Sequence, residues 1–148
     1  MKKIVTSGRR KKSVSKAVLT EGSGKITING SDINNYNPKM ARLKMMEPLM
    51  LSGDIASKVD IAVSVTGGGI VNQADAVRLA IGRSLVQHSP RLKDVYLNYD
   101  RQLLVADIRV KESGKPNHHG QARARTQTDR KSTRLNSSHV SESRMPSS

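Results

Sequence analysis

The sequence has no cysteine, no phenylalanine and no tryptophan, and its only aromatic residues are Tyr36, Tyr96 and Tyr99. Without cysteine, disulfides and thiolate metal sites are excluded, which fits a reducing, cytoplasmic setting. So few aromatic rings argue against a module that stacks single-stranded bases on aromatic platforms. No apolar run approaches the ~20 residues needed to span a bilayer, and the N-terminus lacks the apolar core of a signal peptide. Neither end carries the apolar face of an interfacial helix, so no membrane partner is expected.

Acidic residues are scarce where basic ones are dense. The 26 Lys and Arg against 12 Asp and Glu leave a formal net charge of +14. Residues 1–16 hold Lys2, Lys3, Arg9, Arg10, Lys11, Lys12 and Lys16 and no acid, while residues 17–108 are nearly balanced. Residues 109–134 are basic again. Lys and Arg clustered in this way gain most from neutralising phosphates and releasing counterions, so a polyanion is the expected partner. A surface that is merely soluble mixes both signs.

At 148 residues the chain fits one domain with tails. The pattern divides it into a basic N-terminal tail (1–13), an α+β domain (14–108), a basic C-terminal tail (109–134) and a Ser-rich extension (135–148). The first tail lacks apolar periodicity and is expected to be extended or ordered only on RNA. Val14 to Thr20 and Lys25 to Asn29 predict two strands, with Gly22-Ser23-Gly24 as a hairpin loop between them and Asn29-Gly30 as a turn. Asn37-Pro38 predicts a helix start, and Pro48 a stop near Glu47. Val59, Ile61, Val63 and Val65 alternate with more polar residues, the cleanest strand signal in the chain. Gly67-Gly68-Gly69 breaks that strand. A helix to about His88 follows, with Ile70, Ala74, Val77, Ile81 and Leu85 on one stripe. Arg78 and Arg83 lie off the stripe and are expected to face solvent or RNA. After Ser89-Pro90, residues Leu92, Val95, Tyr96 and Tyr99 mark a helical face, and Leu103 to Ala106 predict a short returning strand. The methionines at 40, 45, 46 and 50, spaced helically beside Leu43, are expected to fill the core.

No catalytic set emerges: the aspartates are scattered, and no serine or lysine lies in a motif for an activated nucleophile. The triple glycine is not a P-loop, because no Gly-Lys-Ser/Thr follows it. It predicts either a tight strand-to-helix turn or backbone amides that meet an RNA phosphate. His118-His119, without cysteine or carboxylates at ligand spacing, is expected to contact solvent or RNA and not a metal. No cofactor is expected.

Several segments together resemble the family of universal small-subunit ribosomal protein nine. They are Gly8-Arg9-Arg10-Lys11-Lys12-Ser13, the segment Gly24 to Gly30, and the block Val65-Thr66-Gly67-Gly68-Gly69 with Gln73, Ala74, Ala76, Arg78, Ile81 and Leu85. Tyr99-Asp100-Arg101 with Leu103 to Asp107 and Arg109 is similar to the archaeal and eukaryotic branch. The tail residues Gly120, Ala122-Arg123-Ala124-Arg125 and Lys131-Ser132 extend the likeness, which runs from residue 3 to 132. The resemblance implies a four-stranded sheet with helices on one face, like the second domain of ribosomal protein five. The same superfold occurs in small-molecule kinases, but their serine-rich phosphate loop is replaced here by Ile70-Val71-Asn72, and fold likeness alone transfers no activity.

The resemblance further implies a structural, non-enzymatic protein of the small-subunit head, with ribosomal RNA, neighbouring head proteins and the P-site tRNA as partners. The residues expected on ribosomal RNA are Arg9, Arg10, Lys11, Lys12, Lys16, Gly67, Gly68, Gly69, Arg78, Arg83, Arg109, Lys111, Arg123, Arg125 and Arg130. Lys131 and Arg134 are expected near tRNA. Thr133-Arg134 stands where the family usually ends, in a tyrosine or other residue followed by arginine, and the departure is that the sequence continues from Leu135 to Ser148. Residues beyond Ser132 are expected not to be the natural end, since Ser132 to His139 resembles translated sequencing-adapter sequence; the alternative is a lineage-specific disordered extension.

Overall fold

A mixed five-stranded sheet and three helices make up the body of the computed structural model, which describes residues 3–123. The chain falls into a body ending at Val110 and a separate segment from Lys111. The strands are β1 (Ile4–Arg10), β2 (Ser13–Glu21), β3 (Ile26–Ile28), β4 (Ser31–Asp32) and β5 (Val59–Thr66). The helices are α1 (Lys39–Ser52), α2 (Ile70–His88) and α3 (Leu92–Tyr99). The order across the sheet is β1-β2-β5-β3-β4, antiparallel except for the parallel β3–β5 pair.

The alternation in β5 buries Val59, Ile61, Val63 and Val65 and turns Asp60, Ala62, Ser64 and Thr66 outward. On the buried face these valines and isoleucines join Ala17, Leu19, Ile26 and Ile28 from the neighbouring strands and Ala74, Val77, Ile81 and Leu85 from α2. Tyr96 of α3 closes this core, its hydroxyl donating to the Pro48 carbonyl at 2.7 Å, and burial pushes its phenol up to about 12. Asn29-Gly30 forms the two-residue β3–β4 turn with positive φ at both positions (49° and 82°), the conformation that Asn-Gly favours. The α+β class, β5, α2 and this turn agree with the sequence.

Four sequence expectations are overturned. Residues 4–10, assigned to a tail, form β1 and pair with β2 from Ile4↔Leu19 to Arg10↔Ser13. The fully buried positions of β1 are Thr6 and Gly8, flanked inward by half-buried Ile4 and Arg10, so that only Ile4 registers as part of a hydrophobic period. Thr6 and Gly8 suit close packing on α2: Thr6 Oγ1 donates to Ala80 O at 2.8 Å, and a Cβ on Gly8 would stand 2.1 Å from Ala76 O. Gly22-Ser23-Gly24 is no hairpin loop, since β5 lies between β2 and β3. The segment wraps the first residues of β5 instead, where Asp60 Oδ1 accepts from the amides of Ser23 and Lys25 (2.9 and 2.8 Å).

Pro48 does not end α1, which continues to Ser52. Proline removes one helix hydrogen bond, but here it is fully buried beside Met45 and Leu49, and packing outweighs the missing bond. Leu103 to Ala106 is no strand: Asp100 caps a 3-10 turn at Arg101–Leu103 by accepting from the Gln102 amide. The sheet therefore has five strands where four were expected. Among smaller departures, Ile70, Val95 and Tyr99 are exposed, and of the four methionines only Met45 is fully in the core.

The segment from Lys111 is held by Lys115 N donating to Gln121 O, Gln121 N donating to His118 O, and an Arg123–Glu112 ion pair at 3.1 Å. Arg125, Arg130, Lys131, Arg134 and the extension 135–148 lie outside the described residues.

Candidate nucleic-acid interface

The β1–β2 hairpin turns on two residues, Lys11 and Lys12, between the paired Arg10 and Ser13. Lys11 adopts φ of 51°, and both lysines are exposed. The tip rests against the glycine turn that joins β5 to α2. Ser13 Oγ donates to Gly67 O at 2.9 Å, and Gln73 Nε2 donates to the same carbonyl at 3.1 Å. Neither Gly67 nor Gly68 has room for a side chain of its own. A Cβ on Gly67 would lie 2.5 Å from Lys12 O, and one on Gly68 would lie 2.1 Å from Ser13 Oγ, both at positive φ. The glycines thus serve as the tight turn, and the same close approach brings the lysine tip beside the start of α2. That helix starts after Gly69 with no side-chain cap, so its first amides point outward at the positive end of the helix dipole.

Lys11, Lys12, Arg9 and Lys16 are exposed, and none forms an ion pair among the described residues. Arg9 and Lys16 project from the sheet face opposite the helices. Gly67, Gly68 and Gly69 are also exposed. The structure brings six of these expected residues, Arg9, Lys11, Lys12, Gly67, Gly68 and Gly69, together around one end of the sheet, places Lys16 further along the open face opposite Ser7 and Ser64, and leaves Lys111 exposed in the separate segment.

The remaining arginines differ. Arg78, expected to face solvent or RNA, is 7% exposed and ion-paired to Glu47 of α1 and to Asp100 at 2.9 Å. Helix α2 is covered by the sheet on one side and α1 on the other, so the buried surface extends well beyond a single stripe. Burial would raise the Asp100 carboxyl, but hydrogen bonds from the Gln102 amide and Arg78 outweigh it and hold it below the usual range. Arg10 is clamped by Asp107 at 2.7 Å and approaches Asp75 at 3.7 Å. Lys44 on Asp75 (2.6 Å) and Arg109 on Asp107 (2.7 Å) complete a chain of alternating charge, Lys44–Asp75–Arg10–Asp107–Arg109. The Arg109 side chain and amide hydrogen bonds, with Arg10 adding attraction, hold the Asp107 carboxyl far below its ordinary value. Arg83 spends its guanidinium on Leu104 O and Ser7 O (3.0 and 2.8 Å). Arg123 is paired with Glu112.

Arg78, Arg83 and Arg10 therefore fasten the body together, while Arg109 and Arg123 are partly neutralised. Of the two acids that decide Arg10's role, Asp75 escaped sequence reasoning, and Asp107 figured there only among the scattered aspartates, with no partner assigned. The only available signal was Asp107 two residues before Arg109, the spacing that lets an extended segment pair with itself. Among the described residues no His, Asp or Glu cluster could hold a metal ion.

The chain matches the family model described as ribosomal protein S9/S16 over residues 8–131. It is 47% identical over 125 residues to the small ribosomal subunit protein uS9 of Halobacterium salinarum, covering 82% of this chain and 94% of that protein. With the uS9 protein of Methanococcus vannielii the identity is 43% over 118 residues, 78% and 88% of the two chains. With that of Methanothrix thermoacetophila it is 44% over 117 residues, 78% and 89%.

Proposed function

The chain belongs to the ribosomal protein S9/S16 family, a structural component of the small ribosomal subunit and not an enzyme, and from that premise we propose that it binds ribosomal RNA chiefly through the hairpin tip and the turn beneath it. The observation that carries this reading is the seating of the Lys11-Lys12 tip, unpaired among the described residues, against Gly67 and Gly68 just before the start of α2, which has no side-chain cap. Two ammonium groups, backbone amides and the helix dipole then converge where a phosphate can approach without meeting a side chain. Arg9 and Lys16 extend the contact along the sheet, and Lys111, Arg125 and Arg130 contribute contacts of their own from the C-terminal segment. Arg109 and Arg123 add to it where phosphate displaces their carboxylate partners.

Phosphate contacts of this kind position the protein, and RNA shape supplies the preference. By its likeness to the family the domain has the architecture of the second domain of ribosomal protein five. It takes its place in the subunit head beside other head proteins in the cytoplasm, with Lys131 and Arg134 approaching the P-site tRNA.

The test is co-sedimentation of the full chain with archaeal small subunits through a high-salt wash, alongside binding to folded small-subunit RNA and to random duplex. Retention and a clear preference for the folded RNA are expected. Equal affinity for random duplex, with loss in the wash, would mark a general nucleic-acid-binding protein and overturn the reading.

A further inference from the structure

The sheet has two faces, and the helices cover only one. The register sets the other out in rows across the strands. Arg9, Val14 and Thr66 form one row, Ser7, Lys16 and Ser64 the next, and Val5, Val18, Ala62 and Thr27 a third. Beyond them Lys3, Thr20, Lys25 and Asp60 surround a surface depression of about 330 Å³. We infer that this open face is a platform for double-stranded RNA, with its cations on phosphates and its hydroxyls on the sugar 2′-OH groups of a minor groove. The inference rests on the ribosomal RNA reading above and extends it to Lys3, Lys25, Ser7, Ser64 and Thr66, residues outside the hairpin tip and outside the set expected on RNA from the sequence.

Charge complementarity identifies the occupant. Four cations, Lys3, Arg9, Lys16 and Lys25, rise from the face, and none is ion-paired among the described residues. Two carboxylates share it, and both are turned to backbone amides. Asp60 accepts from Ser23 and Lys25, and Asp32, opposite Thr27 at the sheet edge, accepts from Asn34 at 3.1 Å. The amide hydrogen bonds of Lys25 and Ser23 hold the Asp60 carboxyl below its ordinary range, and its Oδ1 is occupied by both amides.

Shape agrees with charge. Apart from the cations, no side chain in these rows is larger than valine, so the surface is smooth and its hydroxyls stand close to the backbone. At strand spacings it extends about 20 Å along β1 and about 14 Å across four strands. The wide, shallow minor groove of A-form RNA offers 2′-hydroxyls and two phosphate ribbons to such a surface. A protein partner fits less well, because interface centres are enriched in aromatics and Met and depleted in Lys. Here the centre is Lys16 among serines, alanine and valines.

The absence of cysteine supplies the experiment. Ser64→Cys, at an exposed position, can carry a single benzophenone label in the full chain assembled into small subunits, with Lys11→Cys as a parallel reporter at the hairpin tip. Irradiation is expected to give a nuclease-sensitive RNA adduct from both. An adduct to RNA from position 11 but to protein, or to nothing, from position 64 overturns the platform and leaves the hairpin reading intact. No RNA adduct from either overturns both. In solution, replacing Lys3, Lys16 and Lys25 by alanine should lower the slope of log affinity against log salt for small-subunit RNA by about 2 to 3, at roughly 0.7–0.9 per phosphate lost. An unchanged slope with the fold retained would also overturn the platform.

Discussion

Arg78 and Lys12 carry the same formal charge and sit in opposite surroundings. Arg78 is buried in α2 between Glu47 and Asp100, and its charge is consumed in joining α1, α2 and the turn after α3. Lys12 stands exposed at a hairpin tip with no carboxylate partner among the described residues. A net charge of +14 therefore overstates what is available to a polyanion. The tip offers charge outward; the charge chain around Arg10 and Asp107 is already compensated within the body.

The comparison breaks first at Arg78. Replacing it with alanine strands Glu47 and Asp100 against a low-dielectric interior. Breaking a fully buried pair costs ~3–5 kcal/mol, and because both acids remain about one-third exposed a loss of about 2–3 kcal/mol is expected in urea unfolding. A loss below ~0.5 kcal/mol would show that this arginine is as dispensable to the fold as a surface residue.

Next comes the contact that places the tip. Gly68→Ala puts a methyl group 2.1 Å from Ser13 Oγ at φ of 66°, and should cost ~1–2 kcal/mol in thermal unfolding. The tip should also shift from the start of α2, weakening RNA binding more than Lys12→Ala alone. Full retention of stability and binding would mean that the glycines set neither.

Acid sharpens the comparison further. The folded-state carboxyl of Asp107 lies below its unfolded value of about 3.8, so its contribution is complete above that pH and is lost as pH falls through the lower folded value. Asp107→Asn should therefore be less stable at neutral pH and lose less stability on acidification below about pH 4. Parallel acid profiles for mutant and wild type would remove Asp107 from the account. Smallest in stability is Lys12→Ala, expected to change unfolding by less than ~0.5 kcal/mol.

The sequence was most legible where one period ruled. Val59 to Thr66 alternates without exception and is β5 residue for residue; Ile70 to His88 is α2. Strand β1 was hidden because Thr6 and Gly8 fill its fully buried positions, and their value appears only against Ala76 and Ala80, about 70 residues away. Pro48 misled because the local rule is sound and tertiary burial overrode it. Arg78 misled because a helix covered on two sides has no free back. Of the site, the cationic tip and the glycine turn were visible separately, but their contact through Ser13 belongs to the fold alone.

The central claim is that exposure and pairing, not the count of basic residues, decide which of them meet RNA. Salt-dependent binding of folded small-subunit RNA tests it directly, comparing Lys11→Ala/Lys12→Ala with Arg78→Met at a temperature where both remain folded. The account predicts that the double variant's slope falls by about 1.4–1.8, two phosphate contacts' worth, while the Arg78→Met slope matches wild type. Equal falls in both, or a fall only in Arg78→Met, would contradict it.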